Sequence, residues 1–269
     1  MTVYKEDSEV WIKEAMDSML EQTVPPSEFL IVEDGPIGEI LEKVIDSYAG
    51  ERPELFKIVK NEENLGLGAA LRIGVEQCKY EYIARMDSDD ISNIHRCEKI
   101  LNFMAEHPEY SMVGCDCVEF VNSVDNITGY VRLPQDPEKV AKFAKKRVPI
   151  RHPSIMFKKS DVIKVGNYKP LRRSQEYDLV VRMLLAGMKI SNVQEVLFYI
   201  RIGEDFYLRR GGWNKAKLLA GQRKDFYRYG FYSFPEFCMY ACINIGMCMV
   251  PNFVRSFLYR HFLRKNKQM

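Results

Sequence analysis

Apolar residues in the first 107 positions occur either as short runs or at helical spacing. Between residues 10 and 22 they recur every three or four positions, which predicts a helix with one buried face. Residues 29–32 form an apolar run that ends at a turn-forming sequence, which predicts a strand and a loop. The same criteria predict helices over 37–48, 67–78 and 94–107, and strands over 56–60 and 80–86. This alternation indicates an α/β protein with a doubly wound, mostly parallel sheet and flanking helices.

The pattern changes in the second half of the chain. Strands are predicted over 112–120, 129–133, 153–157 and 190–201, and a helix over 177–186. From about residue 206 the sequence is rich in Arg, Lys and aromatic residues. We therefore expect a main domain over residues 1–205 and a C-terminal helical segment over 206–269.

The first residues depart from the pattern of a doubly wound sheet. Such a sheet normally begins with an apolar strand of about five residues, whereas here the first predicted helix follows almost directly after Tyr4. Two explanations stay open: the fold starts with a helix, or the start codon lies downstream of the true one. The first strand is predicted to be truncated.

Composition and charge narrow the class of protein. The 269 residues are 46% hydrophobic and 28% charged, as in ordinary globular proteins, and the net charge of +2 argues against nucleic-acid binding. The seven cysteines form no CxxC pair, so a zinc site is not expected. We expect reduced thiols and a cytoplasmic protein. No run reaches the roughly 20 apolar residues that span a bilayer.

The acidic sequence Asp87-Ser88-Asp89-Asp90 follows a predicted strand and is the sharpest chemical signal. Two carboxylates spaced two residues apart can hold a hard cation such as Mg²⁺ or Mn²⁺ and leave coordination places for phosphate oxygens. An acidic turn that caps the next helix is the alternative interpretation.

Two other loops at predicted strand ends could contact a ligand. Asp34 could accept hydrogen bonds from a base or ribose, or could belong to an Asp-Gly turn. Asn64 and Gly66 open a helix whose small residues allow a ligand close to the backbone, or simply permit close packing.

Three signals in the second half have a catalytic and a structural interpretation. Glu176 and Asp178 open a predicted helix, where one could be a general base and the other a cap, or both could be caps. His152 could be catalytic or a structural hydrogen-bonding group. Arg209 and Arg210 could close on phosphates or form a solvated basic loop.

Taken in order, these motifs resemble glycosyltransferase family 2. The resemblance covers residues 1 to about 212 and is strongest for bacterial enzymes of capsule, exopolysaccharide and O-antigen assembly of the amylovoran type. It rests on Val3-Tyr4, Val32-Glu33-Asp34-Gly35, Asn64-Leu65-Gly66, Asp87-Ser88-Asp89-Asp90, His152-Pro153-Ser154 and Gln175-Glu176-Tyr177-Asp178-Leu179. It implies the GT-A fold for residues 1–205.

The resemblance also implies an inverting, metal-dependent transfer of a hexose from a nucleotide-diphosphate sugar, with UDP the expected carrier. Asp89 and Asp87 would bind Mn²⁺ or Mg²⁺. Glu176 occupies the position of the family's catalytic Asp, Asp178 is the second choice for the base, and His152 is assigned near the acceptor. The residues assigned to the donor are Val3, Tyr4, Asp34, Asn64, Gly66, Arg85, Asp87, Arg209 and Arg210.

The C-terminal segment bears on the acceptor. Residues 239–250 are apolar apart from Asn244 and precede several basic residues, which suits either a helix in a membrane interface or a helical hairpin packed on the catalytic domain. The resemblance implies a polyprenyl-diphosphate-linked glycan acceptor, and so a protein on the inner face of the cytoplasmic membrane. Two rival functions stay open: a catalytically impaired nucleotide-sugar-binding protein and a sugar-phosphate nucleotidyltransferase.

Overall fold

The protein's structure, a computed structural model, describes residues 1–203 and 212–250. Nine strands, nine α-helices and one short 3-10 helix (His152–Ser154) lie within these ranges. In chain order the strands and α-helices are β1 (Thr2–Val3), α1 (Glu9–Leu20), β2 (Phe29–Glu33), α2 (Glu39–Glu51), β3 (Phe56–Lys60), α3 (Leu67–Gln77), β4 (Tyr82–Ala84), β5 (Ile91–Ser92), α4 (Arg96–Glu106), β6 (Tyr110–Val121), β7 (Ser123–Val131), α5 (Pro137–Ala144), β8 (Met156–Lys158), α6 (Lys159–Lys164), α7 (Gln175–Leu185), β9 (Lys189–Arg201), α8 (Trp213–Arg228) and α9 (Phe234–Met249). The predicted α/β class is confirmed.

The first sheet is parallel and has the strand order β1-β2-β3. Strand β2 is buried at all five positions, as its uninterrupted apolar run predicts for a strand covered on both faces. Strand β1 pairs with β2 through only two residues, Thr2 opposite Val32 and Val3 opposite Glu33. The carboxyl ends of β1 and β2 therefore lie side by side.

The second sheet is mixed, with the order β4-β8-β6-β9-β5, and β7 pairs with β6. The long strands β6 and β9 run parallel, and the other pairs in this sheet are antiparallel. Strand β5 follows directly after Asp90 and pairs with the end of β9, Ile91 opposite Tyr199. This pairing holds the acidic motif at the end of β9.

Helix packing follows the apolar spacing. Helix α1 buries Ile12, Ala15, Met16 and Met19 against the first sheet, as the period of its sequence predicts. Helix α3 approaches the backbone of residues 169–171 so closely that a Cβ on Gly68 would lie 2.7 Å from the nitrogen of Leu171. The small residues after Gly66 therefore serve close packing at this point.

Several elements of the second half differ from the predictions. The predicted strand over 153–157 begins as the 3-10 helix His152–Ser154, because Pro153 cannot donate to a ladder, and only Met156–Lys158 is extended. Helices α5 and α6 were not predicted. A capping signal marks α5: Asp136 accepts a 2.9 Å hydrogen bond from the backbone of Lys139, and Pro137 follows it.

The last two helices pack on α7. Arg223 of α8 is buried and donates to the hydroxyl of Tyr177 on α7 at 2.7 Å and to the carbonyl of Lys146 at 2.8 Å. Phe226 and Tyr232 complete a small aromatic core with Tyr177. Within residues 1–203 and 212–250, no helix combines the length and apolarity needed to cross a bilayer. The basic residues beyond position 250 lie outside the described residues.

Candidate active site

The acidic motif forms a compact cluster of oxygen ligands. One carboxylate oxygen from each of Asp87, Asp89 and Asp90 lies within 4.8 Å of the others. The motif lies between β4 and β5, so two different strands fix its ends. Carboxylate oxygens at this spacing are the ligands that Mg²⁺ and Mn²⁺ prefer, so the donor set fits such an ion.

Burial and mutual repulsion raise the pKa values of this cluster. Desolvation, followed by the charges of Asp87 and Asp7, raises the pKa of Asp89 to about 6. Desolvation, followed by the charges of Asp87 and Asp89, raises the pKa of Asp90 well above its ordinary value. A bound cation stabilises crowded carboxylates of this kind, because its positive charge offsets both their mutual repulsion and their lost hydration.

Arg85 supplies positive charge to one member of the cluster. This buried guanidinium pairs with both oxygens of Asp87, one of them at 2.6 Å from Nη1. The two-point contact fixes the orientation of Asp87. Arg85 therefore acts on the acidic motif through Asp87.

Arg201, which no sequence motif indicated, holds the acidic motif from the end of β9. Its backbone nitrogen donates to Asp90 at 2.8 Å, and its Nε donates to the carbonyl of Asp89 at 2.8 Å. The guanidinium lies 4.6 Å from the ring centre of Phe120 and 5.1 Å from that of Trp11. The available signal was a basic residue directly after the apolar run of residues 196–200.

A second residue that no sequence motif indicated, the carboxylate Asp7, ties the loop after β1 to the acidic motif. One of its oxygens accepts hydrogen bonds from the backbone of Tyr4 at 3.1 Å and from the hydroxyl of Ser88 at 2.8 Å. Desolvation raises the pKa of Asp7 to about 6. Tyr4 is exposed beside the contact between Asp7 and Ser88. The side chain of Val3 is buried in the core, and the backbone carbonyl of Val3 accepts a hydrogen bond from the backbone nitrogen of Asp34.

The structure brings Asp34, Asn64 and Gly66 together. The two oxygens of Asp34 accept hydrogen bonds from the backbone nitrogens of Leu65 and Gly66, both at 2.9 Å, and the Asn64 amide donates to the Asp34 carbonyl at 3.2 Å. Gly35 has φ of 85°, and a Cβ there would lie 2.7 Å from the Asn64 nitrogen. The Asp-Gly turn thus locks the loop that opens α3.

Glu176 lies in the first turn of α7, within electrostatic reach of the acidic motif. Burial raises the pKa of Glu176, while Arg85 and Lys215 lower it and Asp87 raises it. Ser174, directly before the helix, has φ of 59°, a left-handed conformation that non-glycine residues seldom adopt. This tight entry directs the start of α7, with Glu176, to the same end of the structure as Arg85.

His152 and Tyr168 form a buried pair nearby. The Nε2 atom of His152 lies 2.8 Å from the hydroxyl of Tyr168. Burial, with a smaller contribution from the charge of Arg85, holds the pKa of His152 well below its usual range, so the ring is neutral at pH 7. The contact supports the structural interpretation of His152, and Arg85 places it close to the candidate site. Arg209 and Arg210 lie outside the described residues.

Asp178 is committed to buried ion pairs. It accepts bonds from Arg182 at 2.8 Å and from the hydroxyl of Tyr229 at 3.0 Å, and Lys169 lies 3.4 Å away. Its side chain is only 4% exposed. This arrangement joins α7 to the end of α8 and favours Glu176 over Asp178 as the base.

Asp178→Asn is therefore expected to lower the free energy of unfolding by about 3 kcal/mol. The substitution leaves the cationic side chains of Arg182 and Lys169 without their counter-charge. Thermal unfolding should report a Tm drop of about 6–12 °C. Asp225→Asn, which removes an exposed pair with Arg228, is the matched control and should change little. A fully stable Asp178→Asn variant without transfer activity would instead identify Asp178 as the base.

Solved structures share this fold. The Pyrobaculum calidifontis mannosyltransferase PcManGT, in complex with GDP-Man and Mn²⁺, superimposes with a TM-score of 0.63 at 14% identity, over 95% of this chain and 71% of that chain. S. aureus TarS 1–349 superimposes with a TM-score of 0.60 at 18% identity. This match covers 82% of this chain and 64% of the TarS chain. At these identities the likeness establishes the GT-A fold.

Curated relatives are more similar in sequence. The chain is 32% identical over 266 residues to the Escherichia coli UDP-Gal:alpha-D-GlcNAc-diphosphoundecaprenol beta-1,3-galactosyltransferase, over 98% of this chain and 95% of the relative. It is 33% identical over 217 residues to the amylovoran biosynthesis glycosyltransferase AmsE of Erwinia amylovora. This match covers 81% of this chain and 80% of the relative. Residues 1–164 match the family described as Glycosyl transferase family 2. The predicted resemblance is thereby confirmed: the chain belongs to glycosyl transferase family 2 and is a glycosyltransferase.

Proposed function

We propose that this glycosyltransferase moves a hexose from a UDP-sugar to a hydroxyl of a growing, lipid-linked bacterial surface glycan, with inversion and with a divalent cation. The observation that carries the proposal is the acidic cluster of Asp87, Asp89 and Asp90, with the carboxyl group of Glu176 in the same electrostatic neighbourhood. A metal site beside a partly desolvated carboxylate provides for both a diphosphate leaving group and the proton of the attacking hydroxyl.

Asp89 and Asp87 are proposed to hold Mn²⁺ or Mg²⁺. When bound, the cation neutralises the negative charge that develops on the departing diphosphate. Arg85 orients Asp87 from behind, and Arg201 fixes the backbone of Asp89. Arg209 and Arg210 remain predicted phosphate contacts, since they follow β9 closely in sequence.

The nucleotide is proposed to lie across the carboxyl ends of β1 and β2. Tyr4 is exposed there, and the locked loop of Asp34, Asn64 and Gly66 borders the same edge. A carboxylate has about four acceptor sites, so Asp34 can accept a further bond from a base while it holds this loop. Val3 would act through its backbone, since its side chain is buried.

Glu176 is proposed as the general base. The acceptor oxygen attacks the anomeric carbon, its proton passes to Glu176, and the bond from that carbon to the diphosphate oxygen breaks, which releases UDP. One displacement inverts the anomeric configuration. The raised pKa of Glu176 suits this role, because a base works best when its pKa lies near the working pH.

The relatives support the donor, the acceptor and the metal. The E. coli relative is named for UDP-Gal and for a GlcNAc-diphosphoundecaprenol acceptor, and the PcManGT structure is a complex with Mn²⁺. By analogy, we propose UDP-galactose or a related UDP-hexose as donor and a polyprenyl-diphosphate-linked glycan as acceptor. His152 is proposed to shape the acceptor side through its contact with Tyr168.

The C-terminal segment, residues 206–269, is proposed to bring the GT-A catalytic domain, residues 1–205, to the inner face of the cytoplasmic membrane. Helix α9 carries no Lys or Arg and exposes Phe234, Ile243 and Met249 by 53% or more. An exposed apolar surface of this kind needs a partner, and anionic lipid fits the basic sequence that follows. We expect the protein to cosediment with phosphatidylglycerol vesicles. With phosphatidylcholine vesicles, no more protein should sediment than in the absence of vesicles.

The transfer assay tests the proposal. UDP-galactose, UDP-glucose and UDP-GlcNAc are each incubated with a GlcNAc-diphosphate-lipid acceptor, with Mn²⁺ or with a chelator, and the product's anomeric coupling is read by NMR. We expect one donor to give an inverted product only with the metal. Tight donor binding without turnover would favour the alternative of a catalytically impaired nucleotide-sugar-binding protein. The short β1, of only two residues, is the feature that suggests this alternative.

A further inference from the structure

The proposed base, Glu176, is not held in place by a side-chain partner. The hydrogen bond that acts on its carboxyl group comes from its own backbone, while Arg85, Lys215 and Asp87 act on it through their charges. A general base has to lie within about 3 Å of the oxygen whose proton it takes. The direction of this carboxyl group therefore follows the backbone at the start of α7.

The backbone enters α7 through an unfavourable conformation. Ser174 has φ of 59° and ψ of 24°, the left-handed region that residues with a Cβ seldom adopt. Its carbonyl accepts the first hydrogen bond of the helix, from the nitrogen of Asp178 at 3.3 Å. A residue keeps such a conformation only where its surroundings hold it. A contact that fixes Ser174 therefore also fixes where Glu176, two residues later, is directed.

Gln222 of α8 provides such a contact across 48 positions of sequence. Its side-chain amide donates a hydrogen bond to the carbonyl of Ser174 at 3.2 Å. The oxygen of this amide, Oε1, is buried and has no hydrogen-bond partner among the residues that the structure describes. Because an unpartnered buried oxygen costs stability, an apolar side chain of similar size would suit the packing better. The bond to Ser174 is the feature that accounts for an amide at this position.

The neighbouring residue of α8 keeps this helix in place against α7. Arg223 is buried and donates to the hydroxyl of Tyr177 at 2.7 Å and to the carbonyl of Lys146 at 2.8 Å. Tyr177 directly follows Glu176 in the chain. Gln222 and Arg223 thus hold the chain shortly before and directly after the proposed base.

We propose that Gln222 is a positioning residue for the transfer reaction: its bond to Ser174 maintains the left-handed entry of α7 and so directs the carboxyl group of Glu176 toward the acceptor hydroxyl. The inference rests on the proposed function, in which Glu176 is the general base. Without the bond, Ser174 relaxes toward right-handed conformations and Glu176 leaves its working position. The nucleotide edge at β1 and β2 is not touched, so the chemical step is impaired while donor binding is not.

Gln222→Met in the full chain tests the proposal, because Met has nearly the shape of Gln and lacks the amide. We expect kcat to fall about 5- to 10-fold at saturating substrates, while the affinity for UDP in the presence of Mn²⁺ stays unchanged. Adding Ser174→Gly should return kcat to within about twofold of the parent value, because glycine adopts a positive φ without strain. This rescue separates positioning from stability, since glycine supplies no new contact.

Gln194→Met is the matched control. It removes the same kind of bond, from a glutamine amide to the carbonyl of Leu133 at 2.7 Å, and should leave kcat unchanged. If Gln222→Met does not fold, Gln222→Asn gives the same comparison with a polar side chain, one methylene too short to reach Ser174 from the same backbone position.

Unchanged kcat in the Gln222 variant would overturn the proposal, and so would a loss of kcat that Ser174→Gly does not restore. A parallel loss of UDP affinity would also contradict it, since the effect would then lie in binding. Glu176→Gln, measured beside these variants, separates the two claims. If it is inactive, unchanged kcat in the Gln222 variant contradicts this inference alone, whereas a fully active Glu176→Gln contradicts the proposed base and this inference with it.

Discussion

Asp89→Asn is expected to lower metal-dependent transfer by at least about 100-fold while making the metal-free fold more stable at neutral pH. The loss of activity follows because Asp89 is the proposed metal ligand least engaged by protein cations, and an amide oxygen carries no charge to hold the ion. The gain in stability follows from the same crowding of carboxylates that fits the cluster to a cation.

The sign of the stability change depends on pH. The pKa of Asp89 rises from an ordinary 3.8 to about 6 in the folded protein, so the unfolded chain ionises this group at a lower pH than the fold does. Ionised Asp89 therefore destabilises the fold increasingly from about pH 4 to about pH 6, and fully above that. The Asn variant escapes this effect, so its Tm in chelator should be about 2–4 °C higher at pH 7 and unchanged below pH 4.

Asp125→Asn, an exposed position on β7, is the matched control and should change neither activity nor the pH profile. Thermal unfolding at the two pH values and initial rates at saturating donor measure both effects. An Asp89→Asn variant that keeps its activity at low metal concentration would contradict the assigned metal site.

Glu176→Gln is expected to lower kcat by about 10²–10⁴-fold and to leave the affinity for the donor unchanged. The amide preserves the size of the side chain but cannot take the acceptor's proton. Glu176→Asp should retain more activity than the Gln variant, because a carboxylate remains although it is one methylene shorter. Initial rates and donor titrations on the three proteins separate the chemical step from binding.

Glu39→Gln is a suitable control, since Glu39 occupies the first turn of α2 and its side chain is 87% exposed. It should behave as the parent protein does. If the Glu176→Gln variant keeps full activity, Glu176 is not the base. If it loses donor affinity in proportion to activity, Glu176 acts in binding.

Local pattern predicted the first half of the fold well. Strand β3 has the predicted bounds, and α1 and α3 lie within two residues of theirs, because their apolar spacing agrees with their burial. The rule that ligands meet at the carboxyl ends of strands also placed Asp34 and the acidic motif near one edge. These features depend on short stretches of sequence.

Contacts between distant residues were not predictable in the same way. Arg201 reaches Asp90 across 111 positions, and Asp7 reaches Ser88 across 81. Glu176 and Asp178 look alike in sequence, since both open α7. Only the contacts of Asp178 with Tyr229, directly after α8, and with the neighbouring cations reveal that it is buried in ion pairs. The sequence contains no signal for such pairing beyond the presence of charged residues.

The most direct test of the account is a calorimetric titration of UDP into the protein with Mn²⁺ and, separately, with a chelator. The central claim is that the acidic cluster would hold a cation that stabilises the charge of the donor's diphosphate. We predict binding with Mn²⁺ that weakens at least about tenfold in the chelator, and equal, weak binding under both conditions for Asp89→Asn. Equally tight binding of UDP by the parent protein with and without the metal would contradict the claim.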